Sequence, residues 1–176
     1  MMGLKKQGLY LPEFEHDNCG AGFICSLKGI KSNDIIHKAL EILDKLEHRG
    51  AVSADGKTGD GAGILIDIPH AFFKDACAFD LPEAGEYAVG NVFLPQKENQ
   101  RDFCIKVFEE NIAKQGLQLL GWRHVPVNRS VPGRIAAKTE PYVMQVFVGK
   151  SENLDEFQFN LKLFIARKIT EHTIID

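Results

Sequence analysis

The sequence predicts an α+β fold in which helices cover β-sheets. Short apolar runs of strand length alternate along the chain with longer stretches in which apolar residues recur every three or four positions. Glycine and proline separate these stretches, as expected for strands and helices joined by loops. The hydrophobic share of 44% in 176 residues is enough for a real core. An α+β sandwich is therefore the predicted architecture.

The first half of the chain predicts two strands around a long helix. Buried strands are expected at residues 20–27 and 62–68. Ser32 and Asn33 are candidate caps of the intervening helix, and Gly50 is expected to end it. The apolar face of this helix is predicted to consist of Ile35, Ile36, Ala39, Leu40, Leu43 and Leu46.

Strands and helices alternate in the second half. The predicted elements are, in order, a short helix opened by Pro69, a strand at 87–94, a helix at 98–115, strands at 117–127 and 142–148, and a helix at 154–169. The core-facing residues of the two long helices are predicted to be Phe103, Val107, Phe108 and Ile112, and then Leu154, Phe157, Leu161, Phe164, Ile165 and Ile169. Trp122 is expected to be a core or interface aromatic.

Charge and hydropathy exclude several classes of protein. The net charge is −3 with both signs interleaved, which disfavours nucleic acid and anionic membrane surfaces as partners. No apolar run is long enough to span a bilayer, and the first eighteen residues lack the apolar segment of a secretory signal. We therefore expect a cytoplasmic protein.

The cysteines do not form a recognisable metal or disulfide pattern. Cys19, Cys25, Cys77 and Cys104 are widely spaced, and no pair forms Cys-x-x-Cys. Neither a disulfide framework nor a cysteine metal site is favoured. Cys25 is expected in the core of the first strand.

One cysteine stands in an unusual context, Asp-Asn-Cys-Gly-Ala-Gly-Phe at residues 17–23. We interpret Cys19 as the amino terminus of the mature protein and as a nucleophile whose base is its own α-amino group. A thiol titrates near pH 8.5 and a terminal amine near 7.7 to 8.0, so the amine can accept the thiol proton. Gly20 and Gly22 would leave the neighbouring backbone uncovered. The alternative is a buried strand cysteine that acts as a small hydrophobe.

The segment before Cys19, residues 1–18, is interpreted as an extended arm or a propeptide. Composition alone also fits an ordinary frayed terminus.

A second unusual stretch follows the first helix. The stretch from Gly50 to Gly63 contains five glycines, both ends included, which is more than one turn requires. Such a loop either wraps a ligand or allows close backbone packing near a site. A nucleotide triphosphate site is disfavoured because the Lys-Thr pair precedes the later glycines. Arg49 and Asp60 are the charged residues best placed to hold the loop or the site, although a surface ion pair would also account for them.

Three motifs together resemble the amino-terminal glutaminase domain of the glutamate synthase large subunit, a class II glutamine amidotransferase. They are the stretch at 17–23, Leu-Glu-His-Arg-Gly-Ala at 46–51 and Asp-Gly-Lys-Thr-Gly-Asp-Gly-Ala-Gly-Ile at 55–64. Supporting stretches lie at 68–73, 89–95 and 121–128. The resemblance spans essentially the whole chain, and the glycine-rich string is the part most specific to this branch.

The resemblance implies an N-terminal-nucleophile hydrolase fold, a four-layer αββα sandwich that would be incomplete at its C-terminus here. It also implies that residues 1–18 are removed, that residues 19–176 form the first part of the amidotransferase domain, and that Cys19 attacks the side-chain amide of glutamine. The implied substrate-binding or site-supporting residues are Arg49, Gly50, Asp60 and Gly61, with Arg49 in a supporting role.

Partners and cofactors follow from the same resemblance. Ammonia would pass to other glutamate synthase domains or subunits, which aminate 2-oxoglutarate with FMN and an iron–sulfur cluster. The electron donor would be a pyridine nucleotide, through a small subunit, or ferredoxin. No cofactor or metal is expected within this segment.

Two family elements are missing from this sequence, the one that grips the glutamine carboxylate and the Asn-Gly-Glu element that supplies oxyanion donors. Losing such a donor costs about 10²- to 10³-fold in rate. We therefore expect the segment alone to be a very weak glutaminase, and to be part of a longer or split enzyme. Alternatives are a scaffold or regulatory subunit with the same fold, and an amidotransferase for another acceptor such as a sugar phosphate.

Overall fold

The computed structural model describes residue 8 and residues 20–47 and 50–175, which belong to two compact units. The first, here called the loop unit, comprises the described residues up to Leu65 together with Gly133–Ile135. The second, the sheet unit, comprises Ile66–Pro132 and the described residues from Ala136 onward. Helices accompany an antiparallel sheet, so the predicted α+β class is confirmed.

Four α-helices and three strands are described. The helices are α1 (Asn33–Leu46), α2 (His70–Ala76), α3 (Glu98–Lys114) and α4 (Glu156–Ile175), with a short 3₁₀ helix at Ala136–Lys138. The strands are β1 (Tyr87–Leu94), β2 (Gln118–His124) and β3 (Tyr142–Gly149). These bounds confirm the predicted helix after Pro69 and the three predicted strands of the second half. They also confirm the existence of the three longer helices.

The three strands of the sheet unit form one antiparallel sheet in the order β1-β3-β2. Tyr87 pairs with Gly149 and Leu94 with Tyr142, so β1 is in register with β3 along its whole length. On the other side, β2 pairs with β3 through a register irregularity between Leu119 and Gly121. The central strand is therefore the last of the three along the chain.

Neighbouring side chains of β3 point to opposite sides of the sheet. Each side carries its own hydrophobic core, so both faces are covered. Val146 and Val148 belong to a core with Ile112 of α3 and Phe159 of α4. Phe147 points the other way and is fully buried. Its neighbours in that second core are Phe73 of α2 and Tyr87 of β1, and the rings of Phe73 and Phe147 meet edge to face at 5.0 Å.

Trp122 packs on the first of these cores, which confirms the prediction of a core aromatic. Its ring meets Phe108 edge to face at 5.7 Å. The indole Nε1–H donates a hydrogen bond to Glu109 Oε1 at 2.9 Å, so the polar end of the side chain is satisfied.

A buried polar pair joins α3 to α4. Asn111 and Thr170 are each only 2% exposed. The Asn111 side-chain amide donates to Thr170 Oγ1 at 3.1 Å, and that hydroxyl donates in turn to the Ala166 carbonyl at 2.8 Å. A buried amide without a partner is costly, so this pair fixes how the two helices pack.

The predicted core face of α3 is confirmed at Val107, Phe108 and Ile112, whereas the predicted core face of α4 needs correction. In α3, Cys104 lies in the core while Phe103 is 54% exposed. In α4, the predicted stripe is mostly outside, and Phe157, Leu161, Phe164 and Ile169 are exposed. The residues that α4 buries are Phe159, Ala166 and Thr170. The helix is apolar on more than one side, so periodicity alone does not select the core face.

The two strands predicted in the first half are wrong. Neither residues 20–27 nor residues 62–68 form a strand in the described structure. Their apolar side chains are largely exposed, with Phe23 at 92% and Leu65 at 101% of full exposure, and Cys25 is exposed instead of lying in a core. An extended run becomes a strand only when a neighbour satisfies its backbone groups, and no described segment pairs with either run.

The helix of the loop unit begins where the sequence predicts. Ser32 is the N-cap with extended backbone angles, although its side chain makes no capping hydrogen bond. Helix α1 ends at Leu46, before Gly50, whose N–H donates to the Glu47 carbonyl at 3.0 Å. A Cβ built on Gly22 would lie 2.6 Å from Ile42 Cγ2, so this glycine lets the segment after Cys19 approach α1 closely.

Candidate functional site

The predicted site residues differ in what the structure shows of them. Cys19 and Arg49 lie outside the described residues. Gly50, Asp60 and Gly61 are described, and all three are exposed residues of the glycine-rich loop in the loop unit. The geometry of that loop is therefore the described part of the candidate site.

The glycine-rich loop folds back on itself as a short hairpin. Val52 and Gly59 form an antiparallel bridge. Inside the bridge, the Ser53 N–H donates to the Thr58 carbonyl at 2.6 Å, and the Gly56 N–H donates to the Ser53 carbonyl at 2.9 Å. Gly56 has a φ of +68°, which a residue with a side chain rarely adopts. The turn at the tip of the hairpin thus requires this glycine.

Asp60 closes the base of the hairpin with a hydrogen bond. Its Oδ2 accepts a hydrogen bond from the Ala51 N–H at 2.9 Å, across nine positions of sequence. Gly50 lies beside this contact, since a Cβ built on it would be 3.6 Å from the same oxygen. Asp60 therefore closes the base of the loop, and its role in a substrate site stays a prediction.

A second carboxylate, which the sequence analysis did not single out, holds the tip. Asp55 Oδ1 accepts from the Thr58 N–H at 2.8 Å and from the Lys57 N–H at 3.2 Å. Its Oδ2 accepts from the Thr58 hydroxyl at 2.7 Å and from the Ile135 N–H at 2.9 Å. Asp55 therefore joins the hairpin to Gly133–Ile135, far along the chain but within the same unit.

These donors stabilise the ionised form of Asp55. The Thr58 N–H, and next the Ile135 N–H and the Thr58 hydroxyl, hold the pKa of the Asp55 carboxyl well below its usual range. The group is consequently a carboxylate throughout the neutral range. The sequence could have indicated the local half of this arrangement, because aspartate before glycine commonly accepts from N–H groups two or three residues on.

The glycines of the region fall into two groups. Where a Cβ would stand on Gly61 or Gly63, no heavy atom of the described structure lies within 4 Å. A Cβ on Gly133, in contrast, would lie 2.5 Å from the Thr58 nitrogen and 2.7 Å from Asp55 Oδ2. Bare backbone at Gly61 leaves room for a ligand, whereas Gly133 is required for the close approach of two chain segments.

The described side chains do not form a metal site. Among residues 20–47 and 50–175, no group of three or more His, Cys, Asp or Glu side chains is arranged to hold a metal ion. Of the described cysteines, Cys25 is exposed, Cys77 is half-buried and Cys104 is buried. An iron–sulfur cluster needs three or four converging cysteines, so this part of the chain does not fit one.

No helix in the described part of the chain is both long and apolar enough to cross a membrane.

Comparison with known proteins identifies the family. The profile of the glutamine amidotransferases class-II matches residues 19–176. The Glutamate synthase [NADPH] large chain of Bacillus subtilis is 47% identical over 170 residues, which is 96% of this chain and 11% of that protein. The Glutamate synthase [NADH] of Saccharomyces cerevisiae is 43% identical over 93% of this chain and 8% of its own length.

A plant relative shows the same relation. The Ferredoxin-dependent glutamate synthase 1 of Arabidopsis thaliana is 38% identical over 91% of this chain and 10% of its own length. The chain thus spans about a tenth of the length of the curated relatives it matches. From the profile match over residues 19–176, and from relatives that are glutamate synthases, the chain belongs to the class II glutamine amidotransferases.

Proposed function

We propose that this chain provides the ammonia-producing glutaminase step of a glutamine-dependent glutamate synthase. The observation that carries the proposal is that the class II amidotransferase match begins at Cys19, the residue that the sequence marks as a nucleophile. The names of the relatives support the same assignment, because they are glutamate synthases from bacteria, yeast and plants.

Removal of residues 1–18 is the first step of the proposal. Cleavage after Asn18 turns the backbone nitrogen of Cys19 from an amide into a primary amine. An amide nitrogen has no useful basicity, whereas an α-amino group titrates near pH 7.7 to 8.0 and can accept the thiol proton. The nucleophile and its base then belong to the same residue.

The chemistry has two balanced halves. Cys19 Sγ adds to the side-chain carbonyl carbon of glutamine while the α-amino group takes the thiol proton. That proton passes to the amide nitrogen, the C–N bond breaks, and ammonia leaves a glutamyl thioester. Water then gives a proton to the α-amino group and adds to the thioester carbon. The C–S bond breaks, the α-amino group passes its proton to the sulfur, and glutamate and the free thiol are released.

The glycine-rich loop supports this site in the proposal. Asp60 keeps the base of the loop closed through its bond to the Ala51 N–H, and Gly61 presents backbone that no described side chain covers. Arg49 and Gly50, which precede the hairpin, are proposed to organise the site beside the nucleophile. We also propose the four-layer αββα arrangement of the N-terminal-nucleophile hydrolases for the domain, and a cytoplasmic location.

The fate of the ammonia is the wider part of the proposal. In the complete synthase it aminates 2-oxoglutarate in other domains, where FMN and an iron–sulfur cluster supply the redox chemistry. The proposed electron donor is either a pyridine nucleotide or ferredoxin, because the names of the relatives include NADPH, NADH and ferredoxin.

An electrophilic glutamine analogue tests the assignment of the nucleophile. With the native protein that contains this chain, a chloroketone analogue of glutamine should label Cys19 and stop glutamine hydrolysis. Cys19→Ala should lower the glutaminase rate by at least about a thousandfold, because the nucleophile is lost. Cys25→Ala is the matched control, since Cys25 is an exposed thiol outside the proposed chemistry, and its activity should be unchanged.

Two outcomes contradict the assigned nucleophile, and a third contradicts only the synthase part of the proposal. Label on a different cysteine would move the nucleophile elsewhere. Unchanged glutamine hydrolysis in Cys19→Ala would leave this residue without a catalytic role, as in a scaffold with the same fold. Ammonia transfer to an acceptor other than 2-oxoglutarate would retain the glutaminase and overturn only the synthase part.

A further inference from the structure

We propose that Asp55 is a positioning residue for glutamine hydrolysis, and that its bond to the Ile135 N–H holds the glycine-rich loop in the shape that binds the substrate. This inference deepens the proposed function and rests on it. It concerns a residue outside the sequence-predicted site, and it gives the contact between Asp55 and the segment Gly133–Ile135 a role in substrate binding.

The first support is that the two oxygens of Asp55 accept hydrogen bonds from different parts of the chain. Among the described residues, Oδ1 accepts from the hairpin itself, at Thr58 and Lys57. Oδ2 accepts from the Thr58 hydroxyl and also from the Ile135 N–H, 80 positions away at 2.9 Å. The local bonds shape the turn, and the distant bond anchors that turn to another segment. A simple turn would need only the first set.

The second support is independent of Asp55 itself. Gly133 is buried, and a Cβ there would lie 2.7 Å from Asp55 Oδ2 and 2.5 Å from the Thr58 nitrogen. Real Cβ atoms do not approach backbone or carboxylate atoms so closely, so any side chain at this position would push the two segments apart. The segment is therefore built to lie against the tip of the hairpin.

The third support is that little else holds the loop. None of the buried hydrophobic residues of the described structure belongs to the loop unit. A glycine-rich segment loses much conformational entropy when it is ordered, so bonds from Asp55 and Asp60 must set its shape. The pKa of Asp55 lies well below its usual range because of these donors, so the carboxylate stays ionised under acidic conditions in which an ordinary aspartate is protonated.

The kinetic consequence is a change in substrate affinity. If only a fraction of the molecules has the loop in its binding shape, the apparent affinity for glutamine falls by that fraction, while bound substrate reacts as before. Removing a charge-assisted hydrogen bond of this kind should raise KM for glutamine about tenfold. The value of kcat should change about twofold or less.

Two variants of the native enzyme separate the anchor from the turn. Asp55→Ala removes every bond of the carboxylate. Gly133→Ala keeps the Asp55 carboxylate, but the added methyl group collides with Thr58 and with Asp55 Oδ2, so the Ile135 segment must move away. Both should raise KM for glutamine with little change in kcat, and both should speed hydrogen exchange of the Ile135 amide. Asp80→Asn, which changes an exposed loop aspartate in the sheet unit, is the charge control and should match the wild type.

The alternatives give different results. A raised KM in Asp55→Ala with a wild-type KM in Gly133→Ala would assign the effect to the turn alone and overturn the anchoring role. Wild-type KM in both variants, or a lowered melting temperature without a change in KM, would leave Asp55 a structural residue. Labelling of Cys19 by the chloroketone analogue in each variant separates these failures from failure of the proposed glutaminase, which would abolish labelling in the wild type as well.

Discussion

Different interactions stabilise the sheet unit and the loop unit, each within itself. Every buried hydrophobic residue that the structure describes lies in the sheet unit, on the two faces of a three-stranded sheet. The hairpin of the loop unit depends on carboxylates, with Asp60 closing its base and Asp55 anchoring its tip. The described residues of the proposed glutamine site, Gly50, Asp60 and Gly61, belong to the loop unit, in which no described hydrophobic residue is buried.

The two kinds of interaction serve different purposes, because burial sets the stability of the fold and hydrogen bonds set the positions of atoms in a site. Hydrophobic burial stabilises a fold without regard to the exact position of single atoms, whereas hydrogen bonds fix atoms to within tenths of an ångström. A loop that binds a substrate needs accurately placed atoms more than it needs a large buried apolar area. We therefore expect substitutions in the sheet unit to change the free energy of unfolding, and those in the loop unit to change local order.

The largest effect is expected at the centre of the sheet. Phe147→Ala removes a fully buried ring that contacts Phe73 and Phe79 edge to face. It should lower the free energy of unfolding of the chain by about 3–5 kcal/mol in chemical denaturation. Phe93→Ala, on the neighbouring strand, removes a ring that is 70% exposed and should cost less than about 0.5 kcal/mol. Equal costs for the two variants would contradict the packing described.

A smaller effect is expected between α3 and α4. Asn111→Ala removes the amide that donates to Thr170 Oγ1, and leaves a cavity and a less satisfied hydroxyl in a buried site. The free energy of unfolding should fall by about 1–3 kcal/mol. Asn99→Ala, at an exposed position of the same helix, is the matched control. Comparable denaturation midpoints for the two would show that the buried pair contributes nothing.

The smallest global effect is expected in the loop unit. Asp60→Ala removes the acceptor of the Ala51 N–H at an exposed site. The free energy of unfolding should change by less than about 0.5 kcal/mol, because no apolar surface is uncovered. Hydrogen exchange of the Ala51 amide should nevertheless become faster. A cooperative loss of the whole fold in this variant would remove the distinction between the two units.

The sequence predicted the sheet unit well where local pattern and tertiary structure agree. The strand at 87–94 was predicted to the residue, because turn residues bound it on both sides. Pattern failed on α4, whose apolar residues lie on more than one side of the helix. It also failed on residues 20–27, where an apolar run has the composition of a strand but no described partner.

The site was predicted unevenly for a similar reason. Asp60 could be selected because it lies among the glycines of one motif. The anchor between Asp55 and Ile135 joins residues 80 positions apart, and nothing in the pattern of single residues links them. Gly133 likewise appears in the sequence as an ordinary loop glycine, and only the close approach of Asp55 and Thr58 shows why a side chain would not fit.

The central claim is that Cys19 acts as a free amino-terminal residue. The most direct measurement is the intact mass and terminal sequence of the native protein, taken from the same preparation whose glutaminase rate is determined. We predict a mature chain that begins at Cys19 in every active preparation, with activity rising in proportion to the cleaved fraction. Full activity in a preparation that still carries residues 1–18 would contradict the account.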